Sequence, residues 1–198
     1  MTEAPLTESD SRRARILEGA MKVFLAYGYQ RVTMDDIARA AEVSRPALYL
    51  VFKNKADIYR AIGTTLLDAS AEAAETALAA DGSFTERLMG AIENSLIAMM
   101  KTISDSPHGA ELLDMKNSLA ADLAAGWREK LGKSFGAAIA TEAGRNNADL
   151  AARGLTAAGL ADLLLDALEG MKSRVTDSNG QREGARRLVA VIALSLQP

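Results

Sequence analysis

An all-α fold is predicted by three features of this 198-residue chain. Hydrophobic residues make up 48% of it but aromatics only 5%, with abundant Ala and Leu, a composition that favours helix packing over sheets. Only four prolines interrupt it. Apolar residues also recur every three or four positions over most of the chain, the period of one buried helix face. The expected architecture is a flexible tail over residues 1–10, a three-helix domain with a helix-turn-helix over 11–55, and a larger helical domain over 56–198.

Ile16, Ala20, Val23, Phe24 and Tyr27 share one face of a first helix, which Gly28 is placed to end. Arg12, Arg13, Arg15 and Lys22 fall outside that stripe and form a solvated face. Thr33 precedes Met34, Asp35 and Asp36, so its hydroxyl can cap free backbone N–H groups while the acids suit the positive end of a second helix. Ile37, Ala38 and Ala41 make its apolar stripe, Glu42 and Val43 the turn, and Ser44 a second N-cap. A third helix is expected over Arg45 to Val51. Pro46 falls in its first turn, where a missing N–H costs nothing, and Leu48 and Phe52, four apart, share its buried face. The opposite face carries Arg45, Ala47, Tyr49 and Lys53. A guanidinium, a methyl, a phenol and an ammonium side by side suit base edges and phosphates.

Beyond Lys55 the pattern stays helical. Ile58, Ile62, Leu66 and Ala69 mark a long helix to about Ala80, and Asp81-Gly82-Ser83 breaks it. Ser83 can cap a helix carrying Leu88, Ile92, Leu96, Met99 and Ile103, and the cluster Ser104 to Gly109 ends that one. Leu112, Leu113, Met115, Leu119, Leu123 and Trp127 mark further helix. Arg145 to Asp149 and Gly154 to Thr156 read as connections, with Thr156 capping a helix through Leu160, Leu163, Leu164, Leu168 and Met171. Asp177 to Gly180 precedes the last helix, whose Leu188, Val189, Val191, Ile192, Leu194 and Leu196 lie on more than one side. A helix apolar nearly all round must be covered on both sides, which points to a second copy of the chain. Leu160, Leu164, Leu168, Met171, Leu188 and Ile192 are the expected interface.

Net charge is −3, yet residues 1–60 hold 10 basic and 8 acidic side chains against 13 and 18 in the remainder, so the attraction for phosphate lies at the N-terminal end. The absence of Cys excludes disulfides and thiolate chemistry. The first residues lack the apolar core of a signal peptide, and no window approaches the ~20 apolar residues that cross a bilayer. A cytoplasmic protein without membrane contact is expected. His108, Glu111 and Asp114 lie close together, but one His and no Cys leave a metal site short of ligands, so neither metal nor cofactor is expected. Ser106 beside His108 lacks an orienting acid, and no catalytic residue is assigned.

The segments Arg15-Ile-Leu with Ala20 and Phe24, Gly28-Tyr-Gln-Arg-Val-Thr-Met-Asp-Asp-Ile-Ala, Val43-Ser-Arg-Pro-Ala-Leu-Tyr49 and Phe52-Lys-Asn-Lys55 together resemble the DNA-binding domain of the TetR family of bacterial transcriptional regulators. The resemblance covers roughly the first sixty residues. It implies a homodimeric repressor that binds a palindromic double-stranded operator and releases it when a small, largely apolar effector binds the helical body. Thr33, Tyr49 and Lys55 match positions that contact phosphates, and Arg45 and Ala47 are the base-reading candidates, since Arg pairs bidentately with guanine and Ala touches a thymine methyl. Thr33, Ser44, Arg45, Pro46, Ala47, Tyr49, Lys53 and Lys55 make up the expected DNA surface. Met99, Met100, Met115, Trp127 and Phe135 are the candidates for an effector site. Two departures stand out: Glu42 replaces a frequent Gly in the turn, and Val51 replaces an aromatic or His that contacts the DNA backbone. The competing classes are a helical enzyme or carrier using the same cavity, and a protein-interaction module with a vestigial DNA head.

Overall fold

The computed structural model describes residues 8–172, 174–175 and 177–198. Among the described residues ten α-helices run in order: α1 Glu8–Tyr27, α2 Met34–Ala40, α3 Arg45–Val51, α4 Lys55–Ala79, α5 Phe84–Ile92, α6 Ala98–Ser104, α7 Gly109–Leu119, α8 Ala121–Arg145, α9 Ala157–Lys172 and α10 Ser178–Ser195. A π-helical turn, Glu93–Ile97, joins α5 to α6, and a 3₁₀ turn, Ala151–Arg153, precedes α9. The described residues contain no strand, so the all-α expectation holds. Among them no helix is long and apolar enough to cross a membrane.

Packing groups the chain into two units, one of residues up to Leu66 with Thr102–Leu123, the other of Leu67–Lys101 with Ala124–Pro198. In the first, Ile16, Ala20 and Phe24 of α1 meet Ile37, Leu48 and Ile58, all but sealed from solvent, and Leu112 of α7 joins the same core. α1 and α2 cross at Gly19, where a Cβ would stand 2.8 Å from the Ala41 backbone nitrogen, so only glycine permits the approach. α7 is tied to the loop after α1. Glu111 Oε1 accepts from Gln30 N at 2.8 Å, and the Tyr59 hydroxyl donates to Leu112 O at 2.6 Å. Gly28 turns at φ +85, and a side chain there would run into the Glu111 carboxylate. Burial holds the Tyr59 phenol up at about 12, so it remains a donor.

The sequence pattern from Leu112 to Trp127 marks further helix, and the structure divides it at Ala120 into α7 and α8. Arg60 Nη1 takes Leu119 O at 2.6 Å while the guanidinium grips both oxygens of Asp122 at 2.8 and 2.6 Å, holding that carboxyl down at about 2.

In the second unit the core is Leu88, Ala91 and Ile92 of α5, Leu131, Phe135 and Ile139 of α8, Leu160, Leu164 and Leu168 of α9, and Ala185, Val189 and Ile192 of α10. The π turn frees Ser95 O, which accepts from Ser70 Oγ at 3.1 Å; Trp127 Nε1 in turn donates to that hydroxyl at 3.2 Å.

Two expectations need correction in this unit. Leu160, Leu164, Leu168, Met171 and Ile192 are buried within the chain itself and Leu188 packs partly against them, so they present little or no surface to a second copy. The apolar groups that α9 and α10 do expose are Leu163, Val191 and Leu194, at 61%, 65% and 70%. Phe135, a candidate for an effector site, is sealed in the core at 0% exposure. Met99 and Met100 are half-buried on α6 and Trp127 half-buried on α8. The Met115 and Asp114 side chains lie outside the described residues.

Candidate nucleic-acid interface

Local chemistry sets α2 and α3 before packing does. Thr33 is extended, its Oγ1 accepting from Asp36 N at 3.2 Å, while the Asp36 carboxylate accepts from Thr33 N at 3.0 Å and from the Thr33 hydroxyl at 2.6 Å. This reciprocal box satisfies N–H groups that the first helical turn leaves without internal acceptors. The Thr33 hydrogen bonds hold the Asp36 carboxyl below the usual carboxylate range.

At the other end of α2, Glu42 turns the chain at φ 54 and Val43 N reaches back to Ala38 O at 3.0 Å. That left-handed stop is the one glycine usually fills, and a residue with a Cβ is strained there by roughly 1 kcal/mol. Glu42→Gly is therefore expected to raise stability by up to about 1 kcal/mol, less what the freer unfolded chain takes back. A higher urea midpoint at unchanged slope would register the gain.

Ser44 caps α3, its Oγ accepting from Ala47 N at 3.3 Å. Leu48 and Phe52 turn inward at 0% and 4% exposure. Arg45, Pro46, Tyr49, Leu50 and Lys53 are exposed, Ala47 is half-buried, and Val51 packs partly against the core. Tyr49 is thus an outward group and no core aromatic. The Arg45 guanidinium carbon lies 5.7 Å from the Tyr49 ring centroid, and Arg45 Nη1 donates to Asp35 Oδ2 at 3.1 Å. The sequence marks Asp35 only as a favourable charge at a helix start; its pairing with Arg45 spans a turn that periodicity does not describe.

Lys55 departs from its expected role. Its ammonium donates to Tyr29 O at 2.5 Å, Val32 O at 2.8 Å and Gln30 O at 3.3 Å, and sits 4.4 Å from the Tyr29 ring centroid. An ammonium has three donors, so none remains for a direct phosphate bond. Burial lowers its pKa, and the Glu111 carboxylate pulls the other way. Glu111 accompanies His108 Nδ1 at 3.6 Å, and among the described residues no acidic, His or Cys cluster suits a metal. The Ser106 hydroxyl donates to Ile103 O at 2.7 Å. Ser106 thus bonds within its own turn, and Glu111 ties α7 to the loop after α1.

Residues 16–62 match the family model for bacterial regulatory proteins of the tetR family. The chain is 37% identical over 84 residues to an uncharacterised HTH-type transcriptional regulator, YhgD, of Bacillus subtilis (strain 168), covering 42% of this chain and 44% of that one. It is 36% identical over 84 residues to the HTH-type transcriptional activator FasR of Mycolicibacterium smegmatis, covering 42% of this chain and 38% of that one. The matched stretches thus span less than half the length of these relatives. The crystal structure of a TetR transcriptional regulator from Legionella pneumophila superposes with a TM-score of 0.65 at 18% identity, covering 94% of this chain and 97% of that one, a likeness of fold. With their paired caps and left-handed turn at Glu42, residues 16–62 are thus the part of this chain that is similar to the bacterial regulatory proteins of the tetR family.

Proposed function

We propose that the protein is a DNA-binding transcriptional regulator: a homodimer that sets α3 of each copy in the major groove of a palindromic operator, represses, and lets go when a small, largely apolar ligand binds its helical body. The observation that carries this reading is α3 itself. Both ends of α2 and the start of α3 are fixed by local hydrogen bonds, Leu48 and Phe52 lock its inner side, and Arg45, Pro46, Tyr49 and Lys53 face out. A rigid short helix with donors and small apolar groups on its free side suits base edges flanked by phosphates. Leu163, Val191 and Leu194 support a second copy, since apolar groups exposed together on two neighbouring helices are covered at lowest cost by the same surface. Release requires the ligand to bind the DNA-incompetent arrangement better than the competent one.

Selection of genomic fragments by the purified full chain, at two salt concentrations, tests the reading. A shared palindrome is expected. Arg45→Ala should weaken it by roughly 30-fold or more, because a bidentate base contact is worth about 1–3 kcal/mol and occurs in each half-site. Tyr49→Ala should weaken it less, and binding should fall steeply as salt rises. Fragments with no common sequence would count against α3 as a DNA reader. The name of the M. smegmatis relative favours a second reading, activation. A reporter behind the recovered site decides the sign, since loss of a repressor raises its output and loss of an activator lowers it.

A further inference from the structure

Asp35 lies in the first turn of α2 and Arg45 opens α3. Their side chains meet at 3.1 Å while both stay more than half exposed, at 62% for Arg45 and 52% for Asp35. An exposed ion pair of this kind adds little to stability, so folding gives no reason for it. What it alters is the outward face of the helix pair. A guanidinium has five N–H donors and a carboxylate two acceptor oxygens, and the contact uses one N–H and one oxygen. The remaining guanidinium edge and the second carboxylate oxygen stand next to each other, with the Tyr49 ring 5.7 Å from the guanidinium carbon limiting its swing. A donor edge and an acceptor edge are thus held side by side with no net charge.

We infer that Asp35 and Arg45 form one composite reader of guanine with an adjoining cytosine, Arg45 donating to guanine O6 and N7 and Asp35 accepting from the cytosine N4 amino group. The major-groove edge of a G·C pair offers two acceptors followed by a donor, the complement of what the pair presents, whereas an A·T pair alternates acceptor, donor and acceptor and ends in a methyl. The inference rests on α3 being a DNA-reading helix. Asp35 has a second effect on the same surface. An unpaired Arg is drawn to any phosphate; with Asp35 beside it, that sequence-independent attraction is cancelled and binding depends on the bases. Asp35 is on this account a specificity-determining residue, and its contact with Arg45 also positions the guanidinium.

The experiment uses the full chain and a pool of random-sequence duplex DNA. Wild type, Asp35→Asn, Asp35→Glu and Arg45→Ala each select from the pool and are then titrated on the wild-type site and on an unrelated duplex. A G·C pair fixed at one position of each half-site is expected for the wild type. Arg45→Ala and Asp35→Asn should both lose about tenfold in preference at that position and keep the preferences elsewhere. Asp35→Asn should also bind the unrelated duplex more tightly than the wild type does, and Asp35→Glu, which restores the charge, should not. If Asp35→Asn tightens binding to every duplex while the base preference at that position stays intact, Asp35 acts only as a charge and the inference is wrong. Thermal melting of the variants separates lost folding from lost reading, and Asp35→Glu keeps the question answerable if Asp35→Asn melts early. A wild type that selects no sequence at all overturns the DNA-reading role of α3, and the composite reader with it; a wild type that selects a site to which Asp35→Asn is indifferent overturns the composite reader alone.

Discussion

Lys55→Ala is expected to lower the stability of the N-terminal unit by about 3 kcal/mol, the scale of losing a charged donor shared among backbone carbonyls. Tyr29 O, Gln30 O and Val32 O all belong to the loop that leads into the cap of α2, and Lys55 is the cation that ties them together. Removing it leaves three carbonyls to find water and frees the loop that aims Thr33 and α2. A melting transition reporting on that unit should fall by roughly 6–12 °C for a chain of this size. A phosphate ligand would behave differently. Its loss would leave the melt in place and reduce the slope of log affinity against log salt by about one. The expected result is a lowered melt, with an unchanged slope at temperatures where the unit stays folded. Lys55→Met, which keeps the stem but no donor, should resemble Lys55→Ala.

Phe135→Ala should be the costliest single truncation in the other unit, at about 3–5 kcal/mol. The ring has no exposed surface and belongs to the same core as Leu131 and Ile139 of its own helix and the buried residues of α5 and α9. Its removal combines lost apolar burial with a cavity that close-packed helices fill only in part. Urea unfolding of the full chain, followed by probes on each unit, tests this, with the loss confined to the transition of the unit that holds α8. A cost under about 1 kcal/mol, the level of an ordinary surface substitution, would place the ring at the edge of an open cavity instead and return it to the candidates for ligand contact.

What the sequence made legible was chemistry between near neighbours. Thr33 with Asp36, Ser44 with Ala47, and Ser83 with Glu86 are caps whose partners lie three residues apart, and each forms where the residue types predict it. Thr156 likewise accepts from Gly159 N at 2.9 Å. The turn at Glu42 was legible through the resemblance, which places a frequent Gly there, and the left-handed backbone agrees. Helical spacing identified Leu160, Leu164 and Leu168 as a buried stripe, but spacing carries no information about what covers it. These residues meet their own chain, and the exposed apolar groups lie off the stripe. Lys55, Asp35 and Arg60 escaped for a related reason. Their partners stand 23–26, 10 and 59–62 positions away, and a flexible charged side chain gives no local sign of the carbonyl or carboxylate it will find.

The hydrogen bonds from Gln30 to Glu111 and from Tyr59 to Leu112 make the first unit a discontinuous piece of chain. Its boundary does not coincide with the family match, which stops at residue 62. A gene fragment ending there would encode a core missing Leu112, with the Gln30 amide and the part-buried Tyr59 hydroxyl both deprived of their acceptors. Such a head cannot be moved as a cassette. Recombination that exchanges the remainder of the chain must either carry α7 along with α1 to α4 or supply another helix with a carboxylate in the place of Glu111. A substitution in α7, far along the gene from the helix-turn-helix, therefore falls on the same packed unit and is selected with it.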